Sequence, residues 1–202
     1  MVASPARDRV VAAALDLFAE YGVSGTSLQM IADRMGVTKA AVYHQFQTKD
    51  EIVLAVVGPV LERLTRIADA AERERSRSRQ LEVALAGVVD LVVEHRRVAA
   101  VMQFDPIVGR LVQGDPGHPA FDRIRAIFTG PDPDAEAHVR AAMVSGGLMI
   151  AGVDPALSAL SDEELRAQLL AAARRILGRS TRAATGPASR RVGRDERPSI
   201  VR

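Results

Sequence analysis

Apolar residues recur at helical spacing along most of the chain, between polar residues typical of helix starts and stops. Ser4 and Pro5 fit the start of a first helix, and Gly22 fits its end, over about residues 5–21. No run of alternating apolar and polar residues is long enough for a sheet. We therefore expect an all-α fold.

Two short helices follow within residues 26–46. Thr26 with Gln29 forms a capping box for a second helix that ends at Gly36, and Thr38 caps a third over about residues 39–46. Two short capped helices joined by a tight turn are the sequence form of a helix-turn-helix.

The remaining helices are longer and more apolar. Thr48 with Glu51 opens a fourth helix, in which we expect Pro59 to cause a bend. The charged stretch 72–79 is a solvated connection to a fifth helix, and the helical segment 98–112 is cut by Pro106 and Gly109. A segment around 121–128 and two apolar helices follow, one over about 134–153 and one from a capping box at Ser161 to residue 177.

Composition narrows the class of protein. Cysteine is absent, so thiol catalysis, thiolate metal sites and disulfides are excluded, and the four histidines never fall at metal-ligand spacing. We expect no metal and no cofactor. The uncharged stretch 141–153 is shorter than the roughly 20 residues that cross a bilayer, and the first residues do not resemble a secretory signal. The prediction is a cytoplasmic protein that does not bind membranes.

The small positive charge lies at the C-terminal end. The net charge is +2, but residues 179–202 contain seven arginines against two acidic residues, so the preceding 178 residues carry a net charge of −3. This tail has almost no apolar residues, and we expect it to be disordered. It is either a solvated extension or a non-specific clamp on DNA phosphates.

The helix-turn-helix segment, residues 22–49, leaves several polar side chains outside its core. Leu28, Ile31, Ala32, Val37, Val42 and Phe46 supply the interior. That leaves Lys39, Ala40, Tyr43 and His44 on the outer face of the third helix, where a recognition helix would meet the major groove. Taken singly, Tyr43 could pack over the core, His44 could be an ordinary surface histidine, and the lysines could be solvated charges.

The segment resembles the N-terminal domain of TetR/AcrR-type transcriptional regulators. The match is carried by Leu17, Phe18, Gly22, Thr26, Ser27, Ile31, Ala32, Gly36, Val37, Thr38, Lys39, Tyr43, Phe46 and Lys49. The resemblance implies about nine helices, divided into a DNA-binding domain over 1–50, an effector-binding and dimerisation domain over 51–178, and the basic tail over 179–202. It implies a homodimer on a palindromic operator in double-stranded DNA.

The resemblance also implies site residues. Contacts to the DNA backbone would come from Thr26, Ser27, Thr38, Tyr43 and Lys49. Base readout would come from Lys39, Ala40, Ala41 and His44, with Lys39 the best candidate for guanine. This chain has Ala40 where the family often has Gly, and Gln45 where it often has His. We expect Gln45 still to reach a phosphate, and operator preference to be altered.

The C-terminal helices would hold an effector and a second subunit. The effector pocket implied is apolar, for a small hydrophobic effector, and its candidate lining is Leu61, Leu64, Val88, Leu91, Val92, Met102, Phe104, Ile107, Leu111, Phe121, Ile124 and Phe128. The dimer interface implied comprises Val139, Met143, Gly146, Gly147, Ile150, Leu165, Leu169, Ala172 and Ile176. The alternative for each set is ordinary core within one subunit.

The resemblance implies a repressor that a small, mostly apolar effector releases from its operator. An enzyme is disfavoured, because Ser145 lies in no nucleophile motif and His95 lies among arginines at a helix end. The alternative is a DNA-binding regulator with a filled core that responds to a protein partner or to no ligand.

Overall fold

The chain is all-helical in the residues that the computed structural model describes, which are 4–96, 98, 101, 105–113 and 118–178. Nine α-helices and no strand lie in these residues. Their bounds are α1 Pro5–Gly25, α2 Leu28–Met35, α3 Lys39–Gln45, α4 Lys49–Glu72, α5 Arg77–Glu94, α6 Pro106–Gln113, α7 Pro119–Thr129, α8 Ala135–Ala151 and α9 Asp162–Leu177. The predicted fold class is confirmed, and no helix in the described part of the chain is long and apolar enough to span a membrane.

Helices α1 to α3 form the N-terminal bundle, whose turns depend on two glycines. Gly36 adopts the left-handed conformation that ends α2 (φ 66°, ψ 35°), and its amide donates to carbonyls of the last turn. Gly22 interrupts α1 with φ 72° and ψ 166°, a region that side chains strongly disfavour. The predicted stop at Gly22 is therefore a kink, after which one further turn runs to Gly25.

The cap of α2 differs from the prediction. Ser27, not Thr26, is the N-cap, and its hydroxyl accepts from the Met30 amide at 3.2 Å. The Thr26 hydroxyl instead donates to the Gly22 carbonyl at 2.8 Å. The extra turn after Gly22 moves the start of α2 one residue along the chain.

Helix α4 belongs both to the N-terminal bundle, where it packs on α1, and to the rest of the molecule, where it packs on α5 and α7. The Thr48 hydroxyl caps it by accepting from the Glu51 amide at 3.1 Å. The Glu51 carboxylate accepts from the Gln47 amide at 2.9 Å, so the reciprocal bond of the predicted capping box reaches one residue further back. Pro59 lies inside the helix, which continues through it.

The boundaries of the later helices agree with most, but not all, of the predicted starts and interruptions. Residues 98 and 101 are helical, Asp105 is not, and α6 begins at Pro106, so the predicted break at Pro106 is confirmed. Gly109 lies inside α6 and does not break it, contrary to the prediction. Proline fits the first turn because the amide it lacks would have no intrahelical partner there. The capping box of Ser161 with Glu164 at the start of α9 is confirmed, with both of its hydrogen bonds present.

A continuous apolar core joins all the helices. The stripe of α4 that begins at Ile52 is buried along its length, and Leu165 and Leu169 of α9 are buried in the same core. Helix α9 packs on α5, where Arg166 pairs with Asp90 and Arg174 pairs with Glu82. On the opposite side, Arg123 of α7 makes ion pairs with Asp69 and Glu72 near the end of α4.

Candidate nucleic-acid interface and effector cavity

Helix α3 presents the predicted readout residues to solvent. Lys39, Ala40, Ala41 and His44 are exposed, and Tyr43 retains 41% of its accessible surface, which rules out a ring packed over the core. The Lys39 ammonium lies 5.7 Å from the centroid of the Tyr43 ring, a cation–π distance. The helix is held from beneath by Val42 and Phe46, which are buried. Its outer face therefore combines a cation, a phenol and small side chains without losing its packing.

The two exposed caps, Ser27 and Thr38, lie at the starts of α2 and α3. The Thr38 hydroxyl accepts from the Ala41 amide at 3.3 Å, and both cap residues are open to solvent. Capped N-termini direct backbone N–H groups outward, where an anion binds well. Gln45 is half-buried, and its side-chain amide lies 3.1 Å from His44 Nδ1.

Thr26 does not fit the phosphate contact that the resemblance implied. Its residue is only 2% exposed, and its hydroxyl is used inside the N-terminal bundle. A buried hydroxyl that already donates to a carbonyl cannot reach DNA without breaking that bond. The Thr26 side chain is therefore not a candidate for contact with DNA.

Lys49 is also engaged within the protein. Its ammonium donates to the Val23 carbonyl at 2.8 Å and to the Thr26 carbonyl at 3.1 Å, across the kinked end of α1. Of its three hydrogens, two are therefore used for carbonyls at the C-terminal end of α1. Lys49 fixes the start of α4 against α1, which corrects its expected role as a dedicated phosphate contact.

Arg7 anchors the far end of the recognition helix, a role that the sequence analysis missed. Its guanidinium carbon lies 3.8 Å from the centroid of the Phe46 ring, and one N–H donates to the Gln45 carbonyl at 2.8 Å. This carbonyl belongs to the last turn of α3, which no further turn satisfies. The partners are 38 residues apart, so no local pattern signals the contact.

Asp105 links α6 to the N-terminal bundle. One carboxylate oxygen accepts from the buried Val23 amide at 2.6 Å, and the other accepts from the Ile107 amide at 2.9 Å, which caps α6. Val23 therefore contacts two distant elements, because its amide bonds Asp105 and its carbonyl bonds Lys49. The end of α1, the start of α4 and the start of α6 meet at this one residue.

A cavity of about 260 Å³ lies between α4, α5, α7 and α8. Its walls include seven of the residues that were proposed for a pocket, namely Leu64, Val88, Leu91, Val92, Phe121, Ile124 and Phe128. The volume is close to the lower end of the roughly 300–1,000 Å³ typical of small-molecule sites.

Three proposed pocket residues do not line this cavity. Leu61 is buried in the core beside the stripe of Val60 and Leu64 that does, because adjacent helical positions point about 100° apart. Ile107 packs against the core from α6, and Leu111 is 36% exposed. Met102 and Phe104 lie outside the described residues.

Most of the cavity wall formed by α8 was not among the predicted pocket residues. Helix α8 lines the cavity with a stripe at helical spacing, and α4, α5 and α7 add one further residue each. The missed residues are Val60, His95, Arg125, His138, Ala141, Ala142, Ser145, Leu148 and Met149. The sequence contains a signal for this wall, since α8 is apolar on two faces. Only the face expected at the dimer interface was predicted.

The other apolar face of α8 is exposed and forms a stripe that we call the α8 face, comprising Val139, Met143, Gly147 and Ile150. Val139, Met143 and Ile150 retain 57%, 59% and 50% of their accessible surface. Leu165 and Leu169 of α9 are instead buried in their own chain, so they are not available to a partner as predicted. Gly146, Ala172 and Ile176 are half-buried.

An exposed short helix on a three-helix bundle, joined to a larger helical unit, is the arrangement of helix-turn-helix DNA-binding regulators. Residues 10–56 match the family model described as "Bacterial regulatory proteins, tetR family". The N-terminal segment of this chain is therefore similar to the DNA-binding domain of TetR-family transcriptional regulators.

Curated relatives match over the same region. The transcriptional regulator SrpR of Pseudomonas putida is 44% identical over 55 residues, which are 27% of this chain and 26% of SrpR. The transcriptional repressor Rv3405c of Mycobacterium tuberculosis is 40% identical over 74 residues, or 34% of this chain and 39% of that protein. The matches thus span about a quarter to two-fifths of these relatives, which are named as regulators rather than enzymes.

Solved structures extend the likeness in fold to most of the chain. The ketosteroid transcriptional regulator KstR2 of Mycobacterium tuberculosis superposes with a TM-score of 0.67 at 18% identity, covering 88% of this chain and 95% of that one. The TetR-family regulator PfmR of Thermus thermophilus gives 0.63 at 20% identity, with 88% and 97% covered. At these identities the comparison shows the shared fold.

Proposed function

We propose that this chain acts in the cytoplasm as a homodimeric repressor, which binds a palindromic operator and is released from it by a small, mostly apolar effector. The proposal retains the division into a DNA-binding domain (1–50), an effector-binding and dimerisation domain (51–178) and a basic tail (179–202). The tail lies outside the described residues. The name of the relative Rv3405c, a repressor, supports the sign of regulation.

Readout of the operator is assigned to the exposed face of α3. Lys39 would donate to guanine, Ala40 would contact a thymine methyl, and Ala41 and His44 would face neighbouring base edges. Ser27, Thr38, Tyr43 and Gln45 would hold the DNA backbone, with the amides at the starts of α2 and α3. Arg7 would position α3 from within the protein, and Lys49 would hold the start of α4 against α1.

The observation that supports effector control is that α4 extends from the N-terminal bundle to the cavity. This helix begins at Lys49, bonded to the N-terminal bundle, and reaches the cavity with Val60 and Leu64. A ligand that binds one arrangement of the cavity better than another would bias the position of α4, and with it the spacing of the two recognition helices. The alternative regulator, with a filled core, is disfavoured by the cavity at this place.

Self-association is assigned to the α8 face. A contiguous exposed apolar stripe on a helix is typical of an interaction site, and a two-fold symmetric dimer would match a palindromic site. In sedimentation, we expect Met143→Lys to convert the dimer to monomer, because the pairing would bury a charge. Leu54→Lys is the matched control, since Leu54 is 44% exposed on α4 and lies outside the face. A dimer that persists in Met143→Lys would contradict the assignment.

The central test is a footprint on the DNA upstream of the gene for this chain and its neighbours. Wild type should protect a palindrome. Tyr43→Phe removes one hydroxyl per subunit and should weaken binding about ten-fold or more, since each lost hydrogen bond counts twice in a dimer. Tyr21→Phe is the matched control, because Tyr21 is 50% exposed on α1 and has no assigned DNA contact.

Two results would overturn the proposed readout. One is the absence of any protected palindrome, and the other is equal loss of affinity in the two tyrosine variants. A promoter fused to a reporter gives the sign of regulation, because a repressor lowers transcription from the protected site.

A further inference from the structure

Each described polar side chain that lines the cavity can donate a hydrogen bond, and the arginine and histidines among them can carry positive charge. These polar side chains are Arg125, His95, His138 and Ser145, and no acidic residue is among the lining residues that the structure describes. The remaining walls are aliphatic or phenyl side chains. A cavity with apolar walls and a few convergent donors selects an apolar molecule with one acceptor group.

Two of these groups flank the connection between α7 and α8, which we call the corner of the cavity. Arg125 is in the last turns of α7, His138 is in the first turn of α8, and residues 130–134 join the two helices. The two helices are in contact, and the short connection keeps the end of α7 near the start of α8. The apolar residues Val88 and Val92 come from α5, and Val60 and Leu64 from α4, which places an apolar surface beyond this corner.

Arg125 retains donors for a ligand. One of its terminal nitrogens pairs with Asp122 at 2.5 Å, within the same helix. A guanidinium has five N–H donors in a planar fork, so its other N–H groups can meet a carboxylate. The side chain of Arg125 is 65% exposed, so the charge lies at the mouth of the cavity, where it costs little desolvation before a ligand binds.

Resting on the proposed function, we infer that the effector is an amphipathic anion, a small apolar molecule with a carboxylate that is bound at the corner of Arg125 and His138. The apolar body occupies the space between α4, α5 and α8, where Ala141 and Leu148 form the α8 wall. The modest volume limits the body to a short chain or a small ring system. A cationic ligand of the same shape is disfavoured by the guanidinium at the mouth.

The experiment uses three probes with one alkyl chain, octanoate, 1-octanol and octylammonium, titrated into the full chain by calorimetry. Octanoate should bind roughly ten-fold more tightly than 1-octanol, the low end for charge-assisted hydrogen bonds because the corner is partly solvated. Octylammonium should bind more weakly than 1-octanol. The preference for octanoate should decrease as salt is raised, since the corner faces solvent.

Two variants test separately how the cavity binds the carboxylate of the ligand and how it binds the alkyl chain. Arg125→Gln should remove the preference for octanoate while 1-octanol still binds, and Arg63→Gln, an exposed arginine of α4 that does not line the cavity, should leave the preference unchanged. Ala141→Phe should weaken both probes by filling the cavity. Thermal unfolding of each variant shows whether it is folded.

Equal affinity for octanoate and 1-octanol would overturn the inference and leave an apolar effector in place. A preference that survives in Arg125→Gln would equally overturn it. Binding of none of the three probes would overturn it too, while the footprint on the operator tests the proposed function separately.

Discussion

Replacing Asp105 tests the link between the N-terminal bundle and α6 most directly. The substitution Asp105→Ala removes two acceptors at once, one for the Val23 amide and one for the Ile107 amide. Val23 is fully buried, so its amide has no access to water when the carboxylate is gone. An unsatisfied buried donor costs about 1–3 kcal/mol, and a lost N-cap costs typically about 1 kcal/mol.

The expected loss is therefore about 2–4 kcal/mol of the free energy of unfolding, a large part of the roughly 5–15 kcal/mol that stabilises a typical domain. The conservative variant Asp105→Asn has a single acceptor oxygen and can satisfy only one of the two amides. It should lose about 1–3 kcal/mol, less than the alanine variant.

The chain contains a matched control for this measurement. Asp154 also precedes a proline, and its carboxylate accepts from the Ala156 amide at 2.9 Å, the same local cap at an exposed site without the distant bond. Asp154→Ala should therefore lose only the cap. Urea unfolding followed by circular dichroism, at one protein concentration for all variants, gives the differences. Equal losses in Asp105→Ala and Asp154→Ala would refute the importance of the bond to Val23.

Two further predictions concern the backbone and the ion pairs. Gly22→Ala should lower the free energy of unfolding by about 1–3 kcal/mol, because φ is +72° at this residue. The control Gly109→Ala, inside α6 with open space around it, should raise the free energy of unfolding by about 0.5–1 kcal/mol. Urea unfolding that gave both changes the same sign would be inconsistent with the kink. Hydrogen bonds from Arg123 hold the pKa of the Glu72 carboxyl below its usual range. The pair therefore stabilises the fold at any pH above the ordinary carboxyl pKa, and this stabilisation is lost as the pH falls through the lowered pKa. Wild type should therefore lose more thermal stability than Glu72→Gln between about pH 6 and about pH 3, and parallel curves would contradict the pairing.

Local signals in the sequence predicted the recognition helix. Thr38 caps α3 through a residue three positions away, and Gly36 ends α2 through its own backbone conformation. Such interactions need no knowledge of the rest of the fold, since both partners lie within one turn. The helix-turn-helix and the outward side of Tyr43 could therefore be predicted before any tertiary contact was known.

Residues with distant partners could not be assigned in this way. Lys49 has the sequence position of a phosphate contact, but its ammonium is bonded to carbonyls 23 and 26 residues earlier. The same limit applies to Thr26, which looks like a cap and is buried beneath the kink at Gly22.

The sequence by itself determined that the chain is helical, where most helices begin, and which short helix has an exposed polar face, because caps and helical periodicity act over three or four residues. Only the tertiary structure decided which apolar face of α8 lines a cavity and which stays exposed. It also decided that Leu165 and Leu169 belong to the core. Apolar stripes look alike in sequence whether they meet core, ligand or a second subunit, and only the packing of the other helices distinguishes them.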